Sequence, residues 1–438
     1  MSRYKTTYWD DVDKVKIPNV INREYINNNS ILEIGVDSHT LDYMYGICGK
    51  DMEDIDMSEL SVEDFLNISF DTNTIFSVEQ LEKFKPNKIL KECEEYYIGM
   101  NDLKEAGITG KGINIVILDD PFDHTIDDRF KDIKYNDDNV LEKNVSQFHG
   151  ITVTDIIKRI APEANIKFYA TKLEDENSEK SKHGFDKKRY KILESIANSK
   201  ENVDIISMSS TINSMDISEI NKKLVNKGCK FIDSRTFSNN FAHANRRGKN
   251  ILIKNLNYKI SDEEYKNAIE KIHEEIEELK KENLEKEKYQ EIMDTYERVL
   301  ISKENYKIEL VKRIENDAKK KISVVSGGIT YIQNDGICGK KYAAHSSQSF
   351  SIPQVSAIYA LAKQMDKNIS YDEFCKICNE TCIKEKNNLI NPEGIIRIIN
   401  EKNKKKAINS EEYKQIYENS SKLISNLDKV KEMKSKTI

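Results

Sequence analysis

Short apolar runs alternate with amphipathic stretches between residues 101 and 260. Four runs rich in β-branched side chains predict buried parallel strands, at 113–118, 166–170, 204–208 and 229–232. Three stretches between them, at 152–159, 190–198 and 217–226, carry apolar residues at helical spacing. Strands and helices that alternate in this way indicate an α/β fold with three α/β/α layers, in which helices cover both faces of a mostly parallel sheet.

The segment at 261–321 has a different pattern, because it contains no Gly and no Pro. Ser261 and Glu264 form a capping box, which predicts a helix start. Apolar residues recur at three- and four-residue spacing in two sets: Ile269, Ile272, Ile276 and Leu279, then Tyr289, Ile292, Tyr296 and Val299. We therefore expect a long helical, coiled-coil-like insertion, whose narrow apolar seam could bind a helical partner.

The two ends of the chain are more polar than its centre. Residues 1–100 are mixed and acidic, and Ser61 with Asp64 and Ser77 with Gln80 predict helix starts at 61–68 and 77–84. After the insertion, a strand at 322–325 is followed by helices at 371–382 and 391–400. Residues 401–438 are a Lys-rich tail. We expect three parts: an N-terminal accessory region at 1–100, a main domain at 101–400 and this tail.

Composition limits the partners and the location of the protein. The 438 residues carry a net charge of −6, which predicts affinity neither for nucleic acid nor for anionic membranes. The N-terminal residues lack the apolar core of a signal peptide, so we expect a cytoplasmic protein or one exported by an unusual route. Three of the seven cysteines, Cys375, Cys378 and Cys382, fall on one face of a predicted helix. Buried free thiols are favoured there over zinc, because no fourth ligand is evident.

Three polar groups stand where parallel-sheet proteins place their chemistry. Asp119 ends the first strand, at the carboxyl edge of the expected sheet. His149 immediately precedes an amphipathic helix. Ser349 leads into an apolar helix whose first turns include Pro353, so it would lie near a helix N-terminus that favours negative charge. Asp, His and Ser in this chain order predict nucleophilic catalysis by an activated serine.

These residues and their neighbours resemble the motifs of the subtilisin-like serine proteases, over about residues 100–400. The resemblance rests on five stretches in the order of that family: Gly110-Lys111-Gly112 with the strand to Asp119, His149-Gly150-Ile151-Thr152-Val153, Ala161-Pro162-Glu163-Ala164, Val203-Asp204-Ile205-Ile206-Ser207-Met208-Ser209, and Ser347-Gln348-Ser349-Phe350-Ser351-Ile352-Pro353. It implies a subtilisin-like fold and a serine endopeptidase acting on proteins or peptides. It also implies that residues 1–100 could be a prosegment and that calcium could bind, although the sequence identifies no calcium site.

The resemblance assigns a role to each of the three residues. Ser349 would attack the peptide carbonyl, His149 would take the serine proton, and Asp119 would orient His149. Each has neighbours of the same type, which fit the motifs less well: Asp120, Asp123, His183, Ser346, Ser347 and Ser351. Asp119 is preferred as the first acid at the strand end, His149 as the one that leads into a helix, and Ser349 as the serine with Pro four residues later.

The chain departs from the family pattern at the oxyanion donor. The family places an asparagine just after a strand, in Ala-Gly-Asn, whereas here Ile232 is followed by Asp233-Ser234-Arg235. Asn239 or Asn240, a few residues further on, could supply that amide. Thr152 also replaces a second histidine of the family motif, and Asp155 stands where glycine is usual. The alternative function is therefore a pseudoprotease, which would use the same fold as a binding or regulatory module.

Overall fold

The structure of the chain is a computed structural model. It describes residues 13, 15–23, 25, 46–66, 68–93, 97, 99–125, 127–136, 149–171, 180–244, 262–280, 286–302, 321–325, 328–334, 337–343, 348–384 and 388–436. None of the helices in these ranges combines the length and apolar character needed to cross a membrane.

Helices and strands alternate along most of the described chain. The helices are α1 Val62–Phe65, α2 Val78–Phe84, α3 Pro86–Cys93, α4 Met100–Glu105, α5 His149–Ile160, α6 Lys180–Asn198, α7 Ser218–Asn226, α8 Ser234–Asn240, α9 Asp262–Leu279, α10 Lys286–Ile301, α11 Gln348–Met365, α12 Tyr371–Thr381, α13 Pro392–Ala407 and α14 Glu411–Ser435. The strands are β1 Phe70–Asp71, β2 Asn114–Asp119, β3 Lys134–Asn136, β4 Asn165–Ala170, β5 Ile205–Met208, β6 Lys230–Ile232, β7 Phe241–Ala244, β8 Ile322–Val325, β9 Gly328–Asn334, β10 Ile337–Ala343, β11 Ile383–Lys384 and β12 Asn388–Leu389.

The largest sheet has five parallel strands, in the order β3-β4-β2-β5-β6. Strand β2 is central: Ile115 pairs with Ile166 of β4 on one side and with Ile205 of β5 on the other. Because all five strands run the same way, their carboxyl ends meet at one edge of the sheet. The strands predicted at 113–118, 166–170, 204–208 and 229–232 are confirmed to within a residue or so at each end.

Helices cover both faces of this sheet. Along β2, Ile115 and Ile117 belong to a core cluster that includes the apolar faces of α5 and α11. The alternate residues Val116 and Leu118 belong to a second cluster, formed with α6 and α7. A buried parallel strand sends successive side chains to opposite faces, so it needs an apolar layer on each side. The three-layer α/β/α architecture predicted from the sequence is confirmed.

Two smaller sheets complete the strand pairing. In one, β7 and β12 run parallel to β8, and β11 pairs antiparallel with β12. In the other, β9 and β10 form an antiparallel hairpin, and β1 from the N-terminal region pairs antiparallel with β10. The hairpin ends at Ala343, shortly before helix α11 begins at Gln348.

The segment at 261–321 contains two helices, α9 and α10, that contact each other. Ile272, Ile276 and Tyr296 are buried together, and the Tyr265 hydroxyl donates to the Leu300 carbonyl at 3.4 Å. The seam predicted from three- and four-residue spacing therefore joins the two helices to one another. Residues 261, 281–285 and 303–320 of this segment lie outside the described residues.

The C-terminal part of the chain packs on the main body. Helix α13 continues through residue 400, where the sequence suggested the end of the main domain, and α14 packs along it. Leu427 of α14 is fully buried, and the Asn403 amide donates to the Met365 carbonyl of α11 at 3.0 Å. Cys375, Cys378 and Cys382 on and beside α12 are also buried. Burial raises the pKa of Cys375 to about 12, so this thiol stays protonated at neutral pH.

Candidate active site

Asp119 is the last residue of β2 and is almost completely buried. Its carboxylate oxygen Oδ1 accepts the Asp120 N–H at 2.8 Å and lies 2.5 Å from Nδ1 of His149. Its backbone carbonyl accepts the Thr171 N–H at 2.9 Å, which ties the end of β2 to the end of β4. The sheet thus presents this carboxylate at its carboxyl edge in a fixed orientation.

His149 is the first residue of α5, and the glycine that follows it explains how it reaches Asp119. A Cβ atom on Gly150 would lie 1.8 Å from the Asp120 carbonyl oxygen and 3.3 Å from the Phe168 ring. No residue with a side chain fits there, so Gly150 allows the first turn of α5 to approach the end of β2. The His-Gly pair of the sequence motif therefore has a steric cause.

Both departures within this motif are buried, and one of them, Asp155, forms ion pairs. Asp155, where the family usually has glycine, is buried in α5 and lies between two arginines. Its oxygens accept from Arg129 Nη1 at 2.5 Å and from Arg159 Nε at 2.6 Å. Thr152 is buried on the same helix. A buried carboxylate needs such partners. Arg159 lies on α5 itself, one turn after Asp155, whereas Arg129 joins α5 to the turn at Asp128–Phe130.

Opposing effects act on the pKa of His149. Burial disfavours the imidazolium, but the negative charge of Asp119 and its hydrogen bond outweigh this effect, and the charge of Asp120 adds to them. The positive charge of Arg189, on α6, acts in the other direction. The net result raises the pKa of His149 above its ordinary value. The contact with Asp119 fixes the orientation of the imidazole. The His149 side chain is 26% exposed, so it lies at the edge of the protein.

Ser349 is the second residue of α11, and a proline four residues later shapes its surroundings. Pro353 has no N–H, so it cannot make the helical hydrogen bond to the Ser349 carbonyl. That carbonyl instead accepts the Ser209 hydroxyl at 2.8 Å. In return, the Ser349 hydroxyl donates to the Ser209 carbonyl at 3.3 Å. This reciprocal pair fixes the start of α11 against the end of β5.

The same helix turn brings the serine motif to the histidine. The rings of His149 and Phe350, the residue after Ser349, have centroids 5.8 Å apart. The structure therefore joins Asp119 and His149 by a direct contact and places Ser349 at the adjoining helix turn. Ser349 also lies in the first turn of an 18-residue helix, where exposed N–H groups favour a negative charge.

The end of β6 differs from what the family pattern would place there. Asp233 follows β6 directly, is buried, and caps helix α8 by accepting the Thr236 N–H at 2.8 Å. Gln348 reaches across to this helix: its side-chain amide donates to the Ser234 carbonyl at 3.0 Å and to the Ser238 hydroxyl at 2.7 Å. Helix α8 thus lies alongside the residue before Ser349, but the residue after β6 is an acid.

The two candidate oxyanion residues lie at the far end of α8. Asn239 is exposed and Asn240 is half-buried. They follow Ser238, whose hydroxyl accepts from Gln348, so they lie one or two residues beyond a contact with the serine motif. Their role as oxyanion donors stays a prediction.

The alternative candidates occupy other environments. The Asp123 carboxylate is buried and accepts the Thr125 N–H and hydroxyl, at 3.0 and 2.6 Å. Ser351 is buried and donates to the Val324 carbonyl at 3.4 Å. His183 was expected in a polar loop; this was wrong, because α6 begins ten residues before the predicted start and includes it. Ser346 and Ser347 lie outside the described residues.

Sequence reasoning did not assign roles to three residues that the structure places at the site: Ser209, Gln348 and Phe350. Ser209 ends the stretch Val203–Ser209 that was noted only as a family pattern, and its position after β5 was the available signal. Gln348 and Phe350 flank Ser349, and no spacing rule predicts the direction of their side chains. Backbone placement could be predicted here, whereas the contacts could not.

One cluster of side chains in the described ranges has the spacing of a metal site. It consists of Asp119, Asp120 and His149, whose ligand-type atoms lie within 4.8 Å of one another. Calcium prefers six to eight oxygen ligands, and a set of two carboxylates and an imidazole does not match that preference. The calcium suggested by the resemblance has no fitting site in this cluster.

The chain matches no known family profile and no curated protein. Solved structures similar to it include the prenylagaramide maturation protease PagA, at 12% identity and a TM-score of 0.39 over 69% of this chain and 99% of PagA. The PatG macrocyclase domain has 11% identity and a TM-score of 0.40, over 69% of this chain and 95% of that domain. A cold-adapted subtilisin-like serine proteinase has 10% identity and a TM-score of 0.35, over 64% of this chain and 85% of that protein. Two of the three are named as proteases.

Proposed function

We propose that this protein is a serine endopeptidase whose catalytic residues are Asp119, His149 and Ser349. The observation that carries the proposal is the 2.5 Å contact between the Asp119 carboxylate and Nδ1 of His149. It lies at the carboxyl edge of a parallel sheet, next to the helix turn that bears Ser349. A buried carboxylate that orients a partly exposed imidazole beside a serine is the arrangement that activates a serine hydroxyl.

Each residue has one task in the reaction. His149 Nε2 accepts the proton of Ser349 as its oxygen attacks the carbonyl carbon of the peptide bond, and then gives that proton to the leaving amine. Asp119 holds Nδ1–H and stabilises the imidazolium that forms in between. A water molecule then releases the acyl group by the same steps in reverse. Before attack, the Ser349 hydroxyl must turn from the Ser209 carbonyl to His149.

The negative oxygen of the tetrahedral intermediate needs donors. The backbone N–H of Ser349 is suited to this, because it lies in the first turn of α11, where the positive end of the helix dipole favours a negative charge. A side-chain amide from Asn239 or Asn240 is the second donor of the proposal. Loss of one such donor costs about 10²- to 10³-fold in rate in subtilisin, so its identity decides how active the enzyme is.

A pseudoprotease is the second candidate function, and one observation favours it. The residue at the end of β6 is Asp233, a capping acid, where the family has an amide. The Asp233 carboxylate accepts the Thr236 N–H and has no N–H to donate to a developing negative charge. In that case the fold would act as a binding module, and the Asp119–His149 pair would take no part in peptide hydrolysis.

A fluorophosphonate probe distinguishes the two functions, because it reacts only with an activated serine. We expect the full-length protein to be labelled at Ser349, and Ser349→Ala and His149→Ala each to reduce labelling by about 10³-fold or more. Ser347→Ala is the matched control and should be labelled as the wild type is. Labelling that persists in Ser349→Ala would contradict the assignment, and a folded wild type that is never labelled would favour the pseudoprotease.

We also propose that the helical segment at 261–321 binds a partner or substrate and takes no part in the chemistry. Its apolar seam closes within the α9–α10 pair, and its charged outer faces are available for recognition. Replacing 262–320 with a short Gly-Ser linker should leave fluorophosphonate labelling unchanged and reduce activity on the natural target. A folded variant that loses labelling would show that the segment belongs to the catalytic unit.

A further inference from the structure

Two segments flank Ser349 in the chain: the β9–β10 hairpin precedes it and helix α11 begins one residue before it. Residues 46–97, which we call the N-terminal unit, contact both of them. The family resemblance suggested a removable prosegment for this part of the chain. The contacts indicate a different relationship.

Main-chain pairing joins the N-terminal unit to the hairpin. Strand β1 adds to β10, with Phe70 opposite Tyr342 and Asp71 opposite Lys341. The Tyr342 hydroxyl also donates to the Leu66 carbonyl at 2.9 Å. With β1 in place, β10 has a strand on each side, because β9 pairs with its other edge. Removing the N-terminal unit would expose an unpaired edge of β10 shortly before the serine motif.

An aromatic cluster covers the same junction. The Phe70 ring stacks on Tyr342 at a centroid distance of 5.1 Å, and Phe65 stacks on both Phe70, at 5.1 Å, and Phe84, at 4.4 Å. Phe76 closes the cluster, and all five rings are buried. Four of the rings come from the N-terminal unit and the fifth from the hairpin. Burial of this much aromatic surface is typical of a permanent core.

A pair of buried opposite charges crosses the junction as well. Lys341 of the hairpin and Asp71 of the N-terminal unit are 5% and 2% exposed and face each other in the ladder. Burial lowers the pKa of Lys341, and the negative charge of Asp71 counteracts this effect. Asp71 also accepts the Gly49 N–H at 2.9 Å and the Thr74 hydroxyl at 2.9 Å, so its own loop holds it in place. The junction therefore excludes water from two groups of opposite charge that face each other across it.

On the other side of Ser349, the N-terminal unit contacts helix α11. The Tyr97 hydroxyl donates to Oε1 of Gln354 at 2.6 Å, and both groups are buried. The amide of Gln354 donates in turn to the Phe350 carbonyl at 2.8 Å. Phe350 is the residue after Ser349 and the one whose ring packs on His149. A continuous chain of hydrogen bonds therefore runs from Tyr97 to the turn that bears the serine.

We propose that the N-terminal unit is a permanent part of the catalytic body, which positions the chain on both sides of Ser349, and is not a segment removed to activate the protein. The permanence of the unit stands on the contacts alone. The positioning of Ser349 by Tyr97 and Gln354 rests on the proposed function as well. The two parts of the inference therefore need separate measurements.

Permanence can be tested in the full-length chain by cutting it near the end of the N-terminal unit, after β1 and the aromatic cluster and before Tyr97. A recognition sequence for a site-specific protease, flanked by Gly-Ser spacers, is inserted between Glu94 and Glu95 and cleaved to completion. We expect both fragments to elute together under native conditions, to separate only in denaturant, and to keep fluorophosphonate labelling within about twofold. A fragment of residues 1–94 that leaves under native conditions, while the remainder stays folded, would overturn the proposal whether or not the protein is a protease.

Positioning can be tested with Tyr97→Phe, which removes a single hydroxyl and keeps the ring. Loss of one hydrogen bond in a buried chain should slow labelling at Ser349, and kcat for a peptide substrate, by about fivefold while KM stays the same. Tyr413→Phe is the matched control, because its hydroxyl accepts from Lys406 on the C-terminal helices. A Tyr97→Phe protein with wild-type labelling and kcat would overturn the positioning role and leave the fragment test unaffected.

Discussion

The ends of β2 and β6 lie at the same edge of one parallel sheet, but the chain uses them differently. At the end of β2, Asp119 has its carboxylate aimed at His149, and Gly150 removes the side chain that would keep the two apart. At the end of β6, Asp233 turns its carboxylate to the N–H of Thr236 and starts a helix. The first strand end brings an acid to a histidine, while the second carries a helix cap.

The difference shows that a strand end fixes where a residue lies but not what its side chain does. Parallel strands bring Asp119 and Asp233 to one edge because of backbone geometry alone. The next residues then decide the direction of each carboxylate: an extended turn leaves Asp119 available, whereas α8 begins at once after Asp233 and its first N–H groups need an acceptor. The Asp233 carboxylate accepts from the first turn of α8, but it has no N–H to donate to an oxyanion.

The largest effect expected at the β6 side concerns the predicted oxyanion donors. If Asn239 or Asn240 supplies the amide, its replacement by alanine should lower kcat by about 10²- to 10³-fold with little change in KM, since the bond forms only in the transition state. Steady-state kinetics on a peptide substrate measure this. Asn226→Ala, at another exposed helix end, is the control and should match the wild type.

Asp233→Asn tests whether the end of β6, and not Asn239 or Asn240, is the position of the oxyanion donor. Asparagine caps a helix about as well as aspartate, so the fold should persist, and the variant brings an amide to the end of β6. Wild-type kcat in both Asn239→Ala and Asn240→Ala, together with a higher kcat in Asp233→Asn, would contradict the assignment. The donor position would then be the end of β6, and the natural chain would be impaired there.

Much of the fold could be predicted because its causes are local. Val116, Leu118 and their neighbours form an uninterrupted, β-branched apolar run, which is typical of a strand buried on both faces. The capping box of Ser77 and Gln80 fixed the start of α2 in the same way. The packing of the N-terminal unit on the hairpin could not be predicted, because those contacts join residues hundreds of positions apart. Phe70 and Tyr342 have no pattern in common that would pair them.

The same distinction between local patterns and long-range contacts applies to the candidate site. Asp119, His149 and Ser349 were identified because strand ends, a glycine after histidine and a proline four residues after serine are visible in the sequence. The two hydrogen bonds between Ser209 and Ser349 could not be identified from the sequence, although the missing N–H of Pro353 leaves the Ser349 carbonyl in need of a donor. The sequence shows which backbone groups lack partners, and the folded chain decides which side chain satisfies them.

The smallest predicted effect concerns Asp120, the second acid at the end of β2. A carboxylate oxygen of Asp120, one of Asp119 and a ring nitrogen of His149 lie within 4.8 Å of one another. Three charged groups thus act on His149: Asp119 and Asp120 raise its pKa, and Arg189 from α6 lowers it. His149 must be neutral to accept the serine proton, so kcat/KM should fall as the pH drops through a pKa above the ordinary value of about 6.5.

The fall in kcat/KM at low pH is the acidic limb of the pH profile. Two substitutions should move this limb in opposite directions. Asp120→Asn removes a negative charge, so the pKa of His149 falls and the limb should move to lower pH by about 0.5 to 1 unit. Arg189→Gln removes a positive charge and should move the limb to higher pH by a similar amount or less. The kcat/KM profile between pH 5 and 10 measures both, with melting temperatures as a check on folding. Shifts of the same sign in the two variants would show that the limb reports a group other than His149. The carboxylates at the end of β2 would then not be the groups that set the pH dependence, and this difference from the end of β6 would be lost.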